Sequence, residues 1–228
     1  SQTDTSRALA SAKIHTELAG MYYERGQYGV ALEELAIALK KDSDYAPAYN
    51  VRGLVNMALL EDEQAERDFR RSLDLDENNS GARNNYGWFL CQRGRERESV
   101  KQFMAAVKNP LYATPEKAFL NAGLCSKKAG MMIEAEGYLK RALIMQPKMA
   151  EALLGMAELN YAKADFVTAK MYFQRFAQLG TEMTAANLML AIRIERKVGD
   201  RNSEASYKMQ LRKRFPESRE TKIMLSGE

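Results

Sequence analysis

Small and apolar residues recur along this chain with a period of 34 to 36 residues. Gly53, Gly87 and Gly123 stand 34 and 36 residues apart. Sixteen residues after each of them comes one large apolar side chain, at Phe69, Phe103 and Leu139. Between these positions the apolar residues are spaced by three and four, which is typical of one buried face of an α-helix. A repeat of this length predicts stacked helix pairs, because one pair alone cannot bury its apolar face.

The pattern resembles the tetratricopeptide repeat. Repeat positions 1 to 34 place a small residue at 8, glycine at 15, alanine at 20, a large apolar residue at 24 and proline near 32. Small residues at 8 and 20 let the two helices of a pair cross closely. Glycine at 15 ends the first helix, and proline interrupts the second. The repeats fall near residues 12–45, 46–79, 80–115, 116–149, 150–184 and 185–218.

The resemblance implies an all-α fold, a right-handed superhelical solenoid of about six tetratricopeptide (TPR) helix pairs. We expect a flexible lead-in at residues 1–7, a single domain over 8–228, and a C-terminal cap after the sixth repeat. The predicted helices cover approximately residues 8–24, 28–41, 46–60, 63–73, 80–93, 96–107, 115–129, 132–145, 148–164, 166–179, 181–198, 201–214 and 218–225.

Composition and motifs exclude several classes of function. The 34 basic and 30 acidic residues nearly balance, so no nucleic-acid-binding surface is predicted. No apolar run approaches the ~18 residues that could span a membrane. The chain contains no phosphate loop, nucleophile elbow or dinucleotide fingerprint. Its one histidine, His15, has no metal-ligating residue three or four positions away. We therefore expect no enzyme activity, no catalytic or metal site and no cofactor.

The remaining candidate is a binding surface for another protein. In tetratricopeptide stacks, positions 2, 5, 9, 12 and 13 of each first helix line a concave groove. An apolar and aromatic middle would suit an extended or helical apolar segment. The predicted partner-binding groove residues are Tyr23, Asn50, Leu54, Met57, Asn84, Trp88, Leu120, Leu124, Lys127 and Tyr161.

Two kinds of residue in this groove have alternative interpretations. Trp88 is the single tryptophan of the chain, and it is either a binding hot spot or a packing residue between first helices. Asn50 and Asn84 share position 5 of adjacent repeats. They either bond the backbone of a partner or cap local structure.

The two cysteines lie on consecutive first helices. Cys91 and Cys125 occupy positions 12 and 10 of the third and fourth repeats, and such helices lie side by side in a repeat stack. A disulfide is therefore geometrically feasible. The alternative is a pair of buried free thiols that act as small hydrophobic residues.

Several segments resemble the PilF/PilW family of type IV pilus biogenesis proteins, over about residues 8–216. The similar stretches are NNYG at 84–87, NPLY at 109–112, YFQRF at 172–176 and DRNSEASY at 200–207. Members of this family are lipoproteins of the Gram-negative outer membrane that face the periplasm. They are pilotins, which assist assembly or stability of the secretin multimer through which the pilus leaves.

The resemblance implies a non-enzymatic adaptor whose groove binds the secretin subunit, with other pilus assembly proteins as further partners. Membrane contact would be made only by a lipidated N-terminal cysteine, which this chain does not contain. The chain begins at Ser1 without methionine, so we expect a processed form or an engineered fragment, and the resemblance implies that it is the mature domain. An oxidising periplasm would favour the bridge between Cys91 and Cys125. The alternative function is a generic TPR scaffold or co-chaperone of another multiprotein complex.

Overall fold

A computed structural model describes residues 1–227, which form thirteen α-helices and no β-strand. The helices are α1 (Gln2–Glu24), α2 (Tyr28–Lys41), α3 (Ala46–Ala58), α4 (Asp62–Leu75), α5 (Ser80–Gln92), α6 (Glu96–Val107), α7 (Pro115–Lys128), α8 (Met132–Met145), α9 (Ala150–Ala162), α10 (Phe166–Ala177), α11 (Ala185–Val198), α12 (Arg201–Arg214) and α13 (Arg219–Leu225). They form two compact units, an N-terminal unit of residues Ser1–Cys125 and a C-terminal unit from Ser126 onward. The single domain that the repeat predicts over 8–228 stays a prediction.

The second and third helix pairs are held at crossings where the first helix has a glycine. A Cβ atom added at Gly53 would lie 2.7 Å from the Phe69 ring, and one at Gly87 would lie 2.7 Å from the Phe103 ring. These contacts join positions 8 and 24, as the sequence predicts. The aromatic ring therefore packs directly on the backbone of the first helix, and no larger residue fits at position 8 without displacing it.

Consecutive repeats share their cores within the N-terminal unit. Val55 of α3 is fully buried in the cluster that α1 and α2 form around Leu35. Phe89 of α5 packs in turn on Phe69 of α4, with ring centroids 5.8 Å apart. Each first helix thus covers the apolar face of the preceding pair, which is the stacking that the period implies.

The C-terminal unit ends in a short capping helix. Met224 of α13 is buried against Leu188, Ile192 and Leu211, so α13 covers the apolar face of the last full pair. The hydroxyl of Thr221 donates to the carbonyl of Phe215, which fixes α13 to the end of α12. The C-terminal cap that the sequence predicts after the sixth repeat stays a prediction.

Most predicted helix ends agree with the structure, and α1 is the main exception. Residues 1–7, predicted as an uncapped lead-in, belong to the helix, which begins at Gln2. Ser1 and Asp4 form a capping box, with the Ser1 side chain accepting from the Asp4 amide. The start of α11 also differs, at Ala185 instead of near 181, because Thr184 and Asn187 form a second capping box.

Position 15 has the left-handed backbone predicted for it, including where the residue is not glycine. Gly26, Gly94 and Gly130 have φ values of 73° to 78°. In the second and fifth repeats the same conformation is adopted by Leu60 and Ala164, with φ of 61° and 62°. A residue with a Cβ atom is strained in this conformation.

We predict that Gly87→Ala destabilises the protein by about 1–3 kcal/mol, because the new methyl group overlaps the Phe103 ring and forces it to move. Urea unfolding measures the change. Gly137→Ala is the matched control, since nothing lies within 4 Å of its added Cβ in α8. Alanine's better helix propensity should leave that variant unchanged or up to about 1 kcal/mol more stable. Equal changes in the free energy of unfolding for the two variants would contradict the close contact between α5 and α6 at Gly87.

We also predict that Ala164→Gly stabilises the protein by about 1 kcal/mol, because glycine adopts positive φ without steric cost. The reverse change, Gly130→Ala, should destabilise it by a similar amount, since that residue has φ of 78° and open space around it. Thermal unfolding of the two variants should shift in opposite directions. A lower melting temperature for Ala164→Gly would show that the backbone at this turn is not left-handed.

Candidate partner-binding surface

Positions 5 and 9 of the first helices form one continuous candidate surface in the N-terminal unit. Residues four apart lie one above the other on a helix, so each pair presents a single face. We name this the groove face, and it comprises Asn50 and Leu54 of α3, Asn84 and Trp88 of α5, and Leu120 and Leu124 of α7.

Trp88 is the most accessible apolar side chain of the groove face, with an exposed fraction of 42%. Within the described residues its ring stacks on no other aromatic ring, and its indole nitrogen makes no hydrogen bond. Its neighbour Gly87 takes part in the helix crossing, so the backbone beneath the indole is held firmly. A rigidly mounted, exposed indole is the kind of side chain that dominates protein interfaces. The hot-spot role of Trp88 stays a prediction.

The asparagines at position 5 bond neighbouring first helices. The side-chain nitrogen of Asn85 donates to the side-chain oxygen of Asn50 at 3.1 Å, and Asn121 donates to Asn84 at 3.1 Å. These bonds link α3 to α5 and α5 to α7, so neither Asn50 nor Asn84 caps a helix end. Because their oxygens accept, their own amide N–H groups are the atoms left to donate. Backbone carbonyls of a partner segment would be suitable acceptors.

The other predicted groove residues of this unit differ in accessibility. Leu54 and Leu124 are half-buried, and each leaves part of its side chain at the surface. Met57 and Leu120 are only 6% and 7% exposed, so a partner could contact only a small part of either side chain. Tyr23 is half-buried beside Tyr28, with ring centroids 6.0 Å apart, and burial raises the pKa of its hydroxyl.

Lys127 and Tyr161 belong to the C-terminal unit and make contacts within it. The Lys127 ammonium pairs with the Glu158 carboxylate, and burial lowers the pKa of this lysine. The Tyr161 ring packs edge-on against Phe166 at 5.3 Å between centroids. The candidate surface described above therefore consists of residues from the N-terminal unit alone.

Cys91 and Cys125 are joined by a disulfide bond, and their Cα atoms are 6.0 Å apart. The bond connects α5 to α7 next to the groove face, and neither cysteine remains a free thiol. It closes the same gap between first helices that Asn84 and Asn121 bridge by their hydrogen bond.

A second exposed apolar surface lies on the first helix pair, and the sequence-based prediction missed it. Ile14 and Met21 of α1, at positions 3 and 10, are 56% and 50% exposed. With the exposed Val30 and Ile37 of α2 they form what we name the end face. In the next four repeats these positions are at most 2% exposed, at Ala48, Val55, Ala82, Phe89, Ala118, Cys125, Ala152 and Leu159. Comparing repeats position by position would have found this surface, since isoleucine replaces the alanine of position 3.

The described residues offer no group of side chains for metal binding. His15 Nδ1 lies 2.5 Å from a carboxylate oxygen of Glu34, which joins α1 to α2. The one histidine thus has a structural contact within the first repeat, beside the end face.

Comparison with known proteins identifies the family, although no family model matches the chain. The Pseudomonas aeruginosa type IV pilus assembly protein PilF is 32% identical over 219 residues, which cover 96% of this chain and 86% of that protein. The chain belongs to the PilF/PilW family. The crystal structure of PilW, a widely conserved type IV pilus biogenesis factor, is 33% identical with a TM-score of 0.86, covering 94% of this chain and 98% of that one. The structure of P. aeruginosa PilF has 29% identity and a TM-score of 0.88, covering 96% and 98% of the two chains.

The fold class is confirmed as well. A tetratricopeptide repeat protein from Parabacteroides merdae is only 17% identical but shares the fold, with a TM-score of 0.63 over 94% of this chain and 83% of that one. The family assignment makes this PilF/PilW member a non-enzymatic protein of type IV pilus biogenesis, which belongs to the Gram-negative cell envelope. No described helix is long and apolar enough to cross a membrane.

The disulfide predicts that oxidised protein unfolded in denaturant contains no titratable thiol, and that reduction releases two. In the chain-entropy description, opening a loop of about 35 residues lowers the free energy of unfolding by about 3–4 kcal/mol. Cys91→Ser combined with Cys125→Ser should show this loss in urea unfolding. Reduced wild-type protein is the control and should resemble the double variant. Two reactive thiols in the oxidised protein would exclude the bond.

Proposed function

We propose that this PilF/PilW protein is an adaptor that binds the secretin subunit of the type IV pilus and assists assembly or stability of the secretin multimer. The observation that supports it is the groove face, where the exposed Trp88 stands one helical turn from Asn84, whose side-chain oxygen accepts from Asn121 and whose amide N–H groups have no partner among the described residues. Family membership favours a pilus partner over the alternative of a scaffold for an unrelated complex.

The groove face combines two kinds of recognition. The amides of Asn50 and Asn84 donate to main-chain carbonyls, which any sequence provides, so they position the bound segment without selecting its side chains. Trp88, with Leu54 and Leu124 on either side, contacts apolar side chains and contributes most of the affinity. The preferred ligand is therefore an extended or helical secretin segment with a few large apolar residues.

The end face is a second candidate contact for the same partner. In later repeats, positions 3 and 10 are covered by helices of the preceding pair, as shown by Val55 in the α1–α2 cluster. Ile14 and Met21 therefore present a surface shaped to receive a helix. An amphipathic helix with apolar residues three, four and seven positions apart matches it.

The location at the periplasmic side of the outer membrane is part of the proposal. It is supported by the family's role in pilus assembly, and the Cys91–Cys125 bond agrees with an oxidising compartment. Attachment there would use a lipidated cysteine of the full-length precursor.

We expect Trp88→Ala combined with Leu124→Ala to weaken binding of the purified secretin subunit at least tenfold, because hot-spot contacts contribute about 2 kcal/mol or more. Calorimetric titration measures the affinity, and gel analysis of membranes measures secretin multimers in cells. Because Leu124 is half-buried, its truncation should cost some stability, so binding is measured well below the melting temperature of the variant.

Two further variants test whether the loss of binding is specific to the groove face. Leu111→Ala is the matched control, since this leucine is 88% exposed and lies outside both surfaces. Ile14→Ser combined with Met21→Ser tests the end face in the same assay. Binding lost only in the end-face variant would move the contact to α1. Normal affinity and normal multimers in both double variants would refute secretin recognition by either surface.

A further inference from the structure

The outward side of the second helices changes character along the chain. Positions 18, 22, 25 and 29 point away from the core, and every residue there is exposed except the half-buried Met104. In the first three repeats these residues are Gly29, Glu33, Ala36, Lys40, Glu63, Arg67, Arg70, Asp74, Arg97, Lys101, Met104 and Lys108. In the last three they are Ile133, Gly137, Lys140, Ile144, Val167, Met171, Gln174, Gln178, Asn202, Ser206, Met209 and Lys213.

At several of these positions the last three repeats have a large apolar side chain where the second and third repeats have a charged one. We name the twelve residues of the last three repeats the outer face of the C-terminal unit. Ile133, Ile144 and Val167 are 86%, 81% and 76% exposed, and Met209 is 70% exposed. Single exposed apolar residues are common on proteins. Here Ile133 and Val167 share position 18 on α8 and α10, and Ile144 lies at position 29, whereas α2, α4 and α6 place no Ile, Leu or Val at any of the four positions.

Charge changes in parallel with this apolar character. Residues 1–125 contain 16 basic and 18 acidic residues, whereas residues 126–228 contain 18 basic and 12 acidic ones. No acidic residue stands at any of the twelve outer-face positions, although Glu134 and the paired Glu136 lie beside them on α8. The positive charge of the chain is thus concentrated in the same unit as the exposed aliphatic residues.

Glu195, Asp200 and Glu204 are neutralised inside the unit, whereas Glu217 and Glu220 form no ion pair with a described residue. Lys170 bonds both Glu195 and Asp200, at 2.9 Å and 3.2 Å. Glu204 accepts from Arg196 and Lys208 at 2.9 Å and 3.1 Å. Among the described residues, no carboxylate pairs with the exposed cations Arg201, Arg212, Lys213, Arg219 and Lys222. These cations are available to an external anion.

We infer that the outer face of the C-terminal unit binds an anionic phospholipid surface. Protruding aliphatic side chains on α8 and α10, with unpaired cations on α12 and α13 of the same unit, match the boundary between headgroups and acyl chains, where the cations bind phosphate and the aliphatic groups enter the apolar region. Long lysine and arginine side chains can extend to headgroups from the helices that present the apolar residues. Protein interfaces instead have an apolar core depleted of charge, whereas the exposed aliphatic residues here are distributed over three helices.

This inference adds a second membrane contact to the proposed lipid anchor and rests on neither the anchor nor the secretin. The outer face would fix which side of the C-terminal unit meets the bilayer.

The test measures how much of the chain of residues 1–228, prepared without any acyl group, sediments together with lipid vesicles. Vesicles of phosphatidylethanolamine with about 30% phosphatidylglycerol are compared with vesicles in which phosphatidylcholine replaces the anionic lipid. We expect at least about tenfold stronger binding to the anionic vesicles, and its loss near 1 M salt, where the screening length is only about 3 Å. Soluble glycerol phosphate at the same phosphate concentration should not compete.

Three variants separate the contributions of the aliphatic side chains and of the cations to vesicle binding. Ile133→Ser, Ile144→Ser and Val167→Ser together should lower binding to anionic vesicles at least about tenfold while leaving the melting temperature unchanged. Arg212→Gln with Lys213→Gln should lower it severalfold and flatten the salt dependence. Arg67→Ser with Lys101→Ser is the matched control, because it removes two cations from the equivalent positions of repeats two and three. That control should bind as the wild type does.

Equal binding to anionic and neutral vesicles would overturn the inference. So would unchanged binding by the triple serine variant, or an equal loss in the Arg67 and Lys101 control, since charge alone would then explain the result. Crosslinks from the outer face to an acidic protein, without vesicle binding, would identify a protein partner in place of lipid.

Discussion

The structure depends on the contact between an aromatic ring and a bare stretch of helix backbone. Phe69 on Gly53 and Phe103 on Gly87 bring the two helices of a pair so close that no side chain fits between them. This contact sets the rotation of each helix about its axis, and the same rotation recurs in successive pairs because the small residues recur. Once rotation is fixed, the repeat position of a residue largely decides which surface it joins.

Three surfaces follow from that single constraint. Positions 3 and 10 pack on the preceding pair, positions 5 and 9 of the N-terminal unit form the groove face, and positions 18, 22, 25 and 29 of the last three second helices form the outer face. Departures from the common residue type at a position are therefore informative. Ile14 is exposed where other repeats bury alanine, Trp88 is exposed on the groove face, and Ile133 replaces a charged residue on the outer face. In each case the residue type is not required for packing one helix pair on the next, so the residue indicates a surface with another role.

Cross-links between neighbouring first helices give the groove face its rigidity. Asn84 accepts a hydrogen bond from Asn121, and Cys91 forms a disulfide with Cys125. A hydrogen bond and a covalent bond therefore join α5 to α7 in the N-terminal unit. A partner segment would meet a surface that is already ordered, which reduces the entropy lost on binding. This fits an adaptor of pilus biogenesis that holds another protein without chemistry of its own.

The sequence by itself determined the all-α fold, the repeat register and nearly every helix end, because these depend on spacing and on local backbone preferences. It also identified the family. Only the tertiary structure decided which groove residues are accessible, that Met57 is buried, and that Asn50 bonds Asn85. The isoleucine at position 3 was a sequence signal for the end face, but its exposure was decided by the absence of a preceding helix pair on α1 among the described residues. The reason is physical, since burial and side-chain pairing depend on atoms that lie a whole repeat away in the chain.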